Sequence, residues 1–451
     1  MQGRAMTEGT PWKHTVRFAL PVLAGSFLQQ LYNTADTIII GRFAGEASMS
    51  AVGTTVSLIF MFTAIAMGIS TGNGVVVAQY FGAKKEGQMR EAASTGILLL
   101  LALGAAAAVL GFLISRPVFT VVLDVPKSIL ETTIVYFRIY SVGLLFQFGY
   151  NIFSSILRGV GDSAATLYFL LISSAANIAL DLLFVGGFGW GAAGAAAATD
   201  ISQAISFVAA YFYMIRKYPV FRFRPKELVW NSGQAVQTVK IGSPIAIQLV
   251  IVSMGLTLII RAANGFGQTM TASYTVGQRI EMYINLPSHA FQSTLATYTG
   301  QNIGAGRMDR VKTGFRQTYC ISLVMTIIIS ACIWIFAANI CNAFDLSTAA
   351  AEYCVKHLRG ISVCNLILSA YIPFFGLFQG ANHPGVPAVV ACTALSIRVI
   401  VTYLFRYSDF FGYTIIWWNG LFGFSVALVI TWIYYLSGRW MRNSSVMMNP
   451  D

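Results

Sequence analysis

Four acidic side chains stand inside stretches that are otherwise apolar: Asp36, Asp181, Asp200 and Glu281. Most of the seventeen acids lie between such stretches. An ionisable group within a lipid-embedded helix is costly and marks a functional site by default. Asp36 closes the series Ser26, Gln29, Asn33, Asp36, whose spacings of three and four put it on one helix face. Ser173, Asn177 and Asp181 repeat the pattern at a spacing of four. Thr199, Asp200 and Gln203 follow the Gly/Ala-rich run 189–198, whose small residues allow close helix approach. Carboxylate, amide and hydroxyl oxygens suit a hard cation such as Na+, by analogy with Ca2+ and Mg2+. A proton is held equally well, because two carboxylates close together in low dielectric cannot easily both ionise. Helix-to-helix hydrogen bonding is the plainer role for these atoms, but carboxylates are poor neutral glue in lipid.

The elements that carry these groups follow from composition. Of 451 residues, 56% are hydrophobic and 10% charged, where a soluble domain carries about 25% charged residues. Mean hydropathy is +0.67. No Asp, Glu, Lys or Arg occurs between Glu46 and Lys84, between Glu91 and Arg116, or between Arg316 and Asp345. Each gap holds about 20 residues or more, enough for a helix to cross the hydrocarbon core. Helices are the expected solution because backbone groups in lipid must bond within the segment, and the runs are too uniform for alternating barrel strands. The first apolar run is too long for a cleavable signal peptide and contains Pro21 and Asp36. Twelve spans are expected, near 15–40, 48–78, 92–115, 131–157, 163–185, 190–215, 238–262, 271–298, 313–338, 353–379, 384–406 and 414–437. The spans carrying Asp36 and Asp181 both run outward, and each carboxylate lies four residues before the end of its span, so the two share a depth.

Lys and Arg sort by side. Nineteen fall with the termini and the central loop, among them Lys84, Lys85, Arg158, Arg216, Arg224, Lys226, Arg307 and Arg442; six fall opposite. Both termini are therefore expected in the cytoplasm. The net charge of +12 is explained by topology and needs no nucleic-acid partner. The six cysteines form no CxxC pair, so zinc and redox motifs are absent, and small buried apolar side chains are the expected state. A bridge between Cys341 and Cys354 across an outer loop is sterically open but not expected, because spacing alone reveals little.

The chain is duplicated. Gln79-Tyr-Phe-Gly-Ala-Lys-Lys85 matches Gln301-Asn-Ile-Gly-Ala-Gly-Arg307 at an offset of 222, and Arg138-Ile-Tyr-Ser-Val142 matches Arg359-Gly-Ile-Ser-Val363 at 221. Pro21 and Pro244 open the two halves at 223. Six spans per half give copies of the same orientation, a transporter signature with the substrate site at the repeat interface. The domains expected are an amino-terminal lobe over 1–215, a basic, proline-containing linker over 216–237, and a carboxy-terminal lobe over 238–451.

The halves differ where it matters. The position equivalent to Asp36 falls near Ile259, and Arg398 stands where Asn177 stands in the first half. Span eight carries its own polar stripe, Gln278, Glu281, Asn285, His289 and Gln292. Glu281 and Arg398 both lie about 12–15 Å deep by helix rise, so they are expected to neutralise one another. His289, the one His placed deep in a span, reads as a packing residue more than a proton relay. The aromatics are expected mostly at lipid-facing or interfacial positions, with Trp417, Trp418 and Trp440 in belts.

Gln29-Gln-Leu-Tyr-Asn-Thr-Ala-Asp36, Gly41-Arg-Phe-Ala-Gly45, Arg158-Gly-Val-Gly-Asp-Ser163, Asn177-Ile-Ala-Leu-Asp181, Gly194-Ala-Ala-Ala-Ala-Thr199 and Gln301-Asn-Ile-Gly-Ala-Gly306, in that order, resemble bacterial multidrug and toxic compound extrusion (MATE) transporters. The lack of an acid in span seven is more similar to the DinF-like branch. The resemblance implies an all-α polytopic fold of twelve helices in two pseudo-symmetric six-helix bundles, the MATE/MOP flippase fold. It implies an antiporter, not an enzyme, that exports bulky, often cationic organic compounds against H+ or Na+ by alternating access. No cofactor beyond the coupling ion is expected. The family's ion site maps onto Asp36, Asn177, Asp181 and Thr199. Gln29, Tyr32, Asn33, Asp200, Gln203, Gln278, Glu281 and Asn285 are the cavity-lining candidates. Ala381-Asn-His-Pro384, where the first half has Val160-Gly-Asp-Ser163, departs from the repeat. A monomer in the bacterial cytoplasmic membrane is expected, with the lipid bilayer and small organic molecules as partners. The alternative is a flippase for a lipid-linked or amphipathic substrate of the same superfamily, which would want a cavity rich in basic residues. No HExxH, DxxD or serine-nucleophile motif and no channel filter motif is visible.

Overall fold

The computed structural model describes residues 3–223, 227–344 and 347–445, so Arg224 and Lys226 of the basic linker lie outside the described residues. These residues fold into eleven long helices: α1 (Pro11–Gly82), α2 (Glu86–Pro117), α3 (Lys127–Gly159), α4 (Ser163–Asp181), α5 (Gly191–Lys217), α6 (Ser232–Asn264), α7 (Gln268–Gly304), α8 (Met308–Asn342), α9 (Thr348–Gly380), α10 (Gly385–Phe405) and α11 (Ile415–Leu436). α1 is broken at Gly45, whose φ of 78° and ψ of 177° suit only glycine, so it supplies two arms, 11–44 and 46–82. Among the described residues, nine helices are long and apolar enough to cross a membrane, α1 counted once. Its second arm, with α5 and α7, completes twelve. The latter two are long but interrupted by polar residues, as helices facing protein or water are.

The chain forms two compact units. Of the described residues, the first comprises 3–7 and 20–246, and the second comprises 8–19 and 247–445. α1 therefore passes from the second unit to the first immediately before Pro21, and α6 passes from the first to the second just after Pro244.

In the first unit α3 packs on α2 and α5, and α5 on α4. The opening turns of α6 lie close against the second arm of α1: a Cβ at Gly68 would come within 2.5 Å of the Ala246 nitrogen. Asn73 donates there to Ala92 O (2.9 Å) and to Thr238 Oγ1 (3.2 Å). The linker runs along the start of α2, where Ser94 Oγ accepts from the Val229 N–H (2.7 Å) and Arg90 pairs with Glu227 (2.7 Å). In the second unit α7 and α9 make the most extensive packing. Gly376 and Gly380 have no room for a Cβ against the backbone of Gln292 and Ala296, and Ser288 and Ser369 share a hydrogen bond of 2.7 Å. The opening turns of α1 join this unit through Thr318 Oγ1, which donates to Thr15 Oγ1 (2.9 Å).

Three expectations need correction. Cys341 and Cys354 are bonded as a disulfide joining the end of α8 to the start of α9. Their Cα atoms are 6.2 Å apart, within the range a disulfide spans, because the short turn between the helices brings their ends together. His289 is exposed, whereas His357 is 1% exposed inside α9, its ring sandwiched between Tyr274 and Trp417. Nor are the tryptophans all in belts. Trp417 and Trp440 are buried, Trp440 against Tyr435, because in a bundle of twelve spans large rings also fill helix-to-helix gaps.

Candidate functional site

Asp181 is the last residue of α4 before a π-helical turn, Leu182–Gly187. Such turns widen the helix locally and recur at functional sites. Asn177 lies one turn earlier on the same face. Both are buried, at 0% and 1% exposure, and Asp36 on α1 is half-buried beside them. The Asp36 and Asp181 carboxyls stand close enough to interact, and two such acids in a low dielectric cannot easily both ionise. Among the described residues, no hydrogen-bond partner reaches Asp36 Oδ1, either oxygen of Asp181, or the amide of Asn177. Buried polar atoms are normally satisfied, so four vacant oxygens in one place call for a proton, an ion or water.

α3 and α5 close the site. Tyr32, on the turn before Asp36, is within electrostatic reach of both carboxylates, and Tyr136 and Tyr140 of α3 are within reach of Asp36 and Asp200. The two α3 rings stack at 6.2 Å. Asp200 presses its carboxyl against Gly143, where even a methyl group would collide with it. Thr199 is buried on α5 one residue earlier; its carbonyl accepts from Ser202, and no contact with the two aspartates places its hydroxyl at the site. Gln29 and Asn33 face outward from α1, and Gln203 is half-buried on α5. The structure thus gathers Tyr32, Asp36, Asn177, Asp181 and Asp200 and leaves Gln29 and Asn33 at the surface of the unit. Tyr136 and Tyr140 were not singled out in the sequence. Their spacing of four on the face of span four was the available signal, diluted by 20 tyrosines in the chain.

At the end of α3 the motif Arg158-Gly-Val-Gly-Asp162 makes a tight corner, with Gly161 at φ 88°. Asp162 caps α4 by accepting from the Ala165 N–H (3.3 Å). Its other oxygen accepts from Lys217 Nζ (2.8 Å), Tyr218 (2.8 Å) and Tyr213 (2.9 Å). Burial alone would push the pKa of this carboxyl up, but the donors from Lys217, Tyr218 and Tyr213 prevail and hold it below the usual carboxylate range.

The second unit places Gln278, Glu281 and Asn285 on α7, half-buried. Gln278 donates to Tyr274 (2.7 Å) and to Glu281 Oε2 (3.2 Å). Arg398 does not pair directly with Glu281: among the described residues no ion pair within 4 Å joins them. Arg398 Nε instead donates to Asn419 Oδ1 (2.7 Å), and its guanidinium lies over the Phe424 ring at 4.7 Å. Gly423 leaves room for its stem.

The oxygens of the first unit fit a proton or a small hard cation: two carboxylates and an amide, buried and without donors. A cluster of three or more metal-ligating His, Cys, Asp or Glu side chains is absent among the described residues.

A family model described as MatE matches residues 21–183 and 244–404. The chain is 26% identical over 448 residues to a probable multidrug resistance protein, YpnP, of Bacillus subtilis (strain 168), covering 98% of each. It is 23% identical to a probable multidrug resistance protein, NorM, of Thermotoga maritima, covering 96% of this chain and 94% of that one. A solved structure described as the outward-facing conformation of a multidrug resistance MATE family transporter superposes with a TM-score of 0.89 at 22% identity, over 98% of both chains.

Proposed function

The chain belongs to the MatE family of membrane transporters, and from that premise we propose that it is an antiporter exporting bulky, often cationic organic compounds in exchange for H+ or Na+. One observation carries the reading: Asp36 and Asp181 adjoin in the first unit with buried oxygens that no protein donor satisfies. The names of the relatives, multidrug resistance proteins, support the class of cargo.

The coupling ion binds at Asp36 and Asp181, with Asn177 at the next turn, and Thr199 completes the set if α5 turns its hydroxyl inward. Bound charge there favours one conformation and bound cargo favours another. Alternating access follows only if each ligand has a different affinity for the two states. Pro21, fifteen residues before Asp36, leaves a carbonyl without its helical partner and supplies the bend that neutralising Asp36 would alter. Both termini face the cytoplasm by the distribution of Lys and Arg.

Purified protein in vesicles, loaded with a fluorescent cationic dye, tests this under separately imposed pH and sodium gradients. Efflux should follow one of the two gradients. Asp36→Asn should abolish gradient-driven efflux and leave membrane insertion intact. Undiminished efflux from that variant would remove the ion-site assignment.

A further inference from the structure

A groove of about 540 Å³ runs between the first turn of α1 and the start of α8, within the second unit. It is lined by Trp12, Thr313, Arg316, Gln317, Cys320 and Ile321. The five α8 residues are spaced by three and four and make one continuous helix face. The groove is held open by fixed contacts: the Trp12 N–H donates to Gln317 Oε1 (3.1 Å), and Thr318 donates to Thr15 just behind. Its volume falls within the range of small-molecule pockets, about 300–1,000 Å³.

The chemistry of the groove is graded along its length. At one end Arg316 is exposed, and no ion pair or hydrogen bond to its guanidinium occurs among the described residues. Lys13, next to Trp12 in the chain, holds its ammonium 5.8 Å from the Trp12 ring. Over 8–19 and 308–321 the basic residues are Lys13, Arg17, Arg310, Lys312 and Arg316, against two acids, Glu8 and Asp309. Toward the middle of α8 the same side continues as exposed Val324, Ile327 and Ile328. An amphipathic tryptophan beside uncompensated cations, with an aliphatic stripe leading away, matches one end of a phospholipid: an anionic phosphate, then an acyl chain.

We propose that this groove is a binding site for one anionic phospholipid, with its phosphate on Arg316 and Thr313, its glycerol region against Trp12, and a chain along Cys320, Ile321 and the stripe beyond. An aqueous anion would have no use for the stripe. A zwitterionic phospholipid would bring a choline cation to a rim already positive. The bound lipid would brace the opening turn of α1 against α8.

Native mass spectrometry on protein purified from a bilayer of equal parts phosphatidylglycerol and phosphatidylcholine tests this. Wild type should retain one phosphatidylglycerol in about fivefold excess over phosphatidylcholine, the ratio expected from one arginine near an anionic headgroup. Arg316→Gln should remove the preference, Arg316→Lys should keep most of it, and Lys312→Gln, off the lining face, should leave it unchanged. Alkylating wild type with N-ethylmaleimide should displace that lipid through Cys320, and the same treatment of Cys320→Ser should not; this arm needs no altered arginine. Equal retention of the two lipids, a preference surviving Arg316→Gln, or a lipid that persists beside alkylated Cys320 would each overturn the assignment.

Discussion

The two units carry one architecture and opposite polar chemistry. In the first, Asp36, Asn177 and Asp181 bring buried oxygens together with no protein donor. At the equivalent positions the second has Ile259, Arg398 and Thr402. Ile259 is fully buried among apolar side chains, and Thr402 Oγ1 donates to the Arg398 carbonyl (2.7 Å). Arg398 itself is tied to Asn419. The second copy carries a fixed cation, Arg398, where the first carries the amide of Asn177. The corners at the end of α3 and α9 diverge the same way. Asp162 accepts from Tyr213 in the first, whereas His383 stands at its equivalent and meets Tyr434 (3.2 Å) and the Arg442 carbonyl (2.7 Å) in the second. The Tyr is kept at a constant offset of 221 while its partner changes from acid to imidazole. Duplication therefore preserves the scaffold more strictly than the charges on it.

The sharpest way to break this comparison is to neutralise both aspartates. Asp36→Asn with Asp181→Asn should lower gradient-driven dye efflux by about tenfold or more, the scale of a lost coupling of two sites, while size-exclusion profiles stay unchanged. Efflux that persists would make the vacant oxygens a structural feature. Next comes the fixed cation. Asn419→Ala should cost about 1 kcal/mol by leaving the half-buried Arg398 guanidinium short of an acceptor. In a double-mutant cycle on thermal unfolding, Arg398→Leu should couple to Asn419→Ala more strongly than to Glu281→Gln. Stronger coupling to Glu281 would restore the direct charge pair expected from depth alone.

The third effect separates the corners by pH. The Asp162 carboxyl is held below its ordinary value, so its stabilising contribution is present above the unfolded value, about 3.9. It is lost as pH falls through the folded value. Asp162→Asn should lower the melting temperature at pH 7 and flatten its fall on acidification. Asn at this position retains an acceptor for Tyr213 but not the charge that holds Lys217. The smallest effect is expected at Gly143→Ala, where the new methyl displaces the Asp200 carboxyl. A loss of about 1–3 kcal/mol is typical of overpacking, and Asp200→Ser should recover part of it. Equal stability of Gly143→Ala alone would show that Asp200 is free to move aside.

The spans were legible because charge is excluded from them. The gap between Glu46 and Lys84 marks the second arm of α1, and the repeat offsets tie α5 and α7 to the same plan although their polar residues fail an apolar test. Periodicity located the polar faces of α1 and α4. It could not find Tyr136 and Tyr140, since aromatic rings are spread over the whole chain and only packing selects these two. Helix rise gave the depth of Glu281 and Arg398 but not their direction around the helix axis, and direction is what gave Arg398 to Asn419. Cys341 and Cys354 looked like any buried thiols because the turn that joins their helix ends leaves no trace in composition.

The exchanged openings of α1 and α6 constrain how this molecule can be divided. The natural place to cut it is the polar stretch near 216–231, which separates the sequence copies. A cut there would yield neither compact unit whole. One fragment would carry residues 8–19 away from α8, and the other would carry 232–246 away from the second arm of α1. Each fragment would then present a groove missing its own plug, the Thr15 seat at Thr318 in one and the Thr238 seat at Asn73 in the other. Split-protein reporters, half-length expression and chimaeras between relatives should therefore place their junctions at Pro21 and Pro244 together, and not in the central loop.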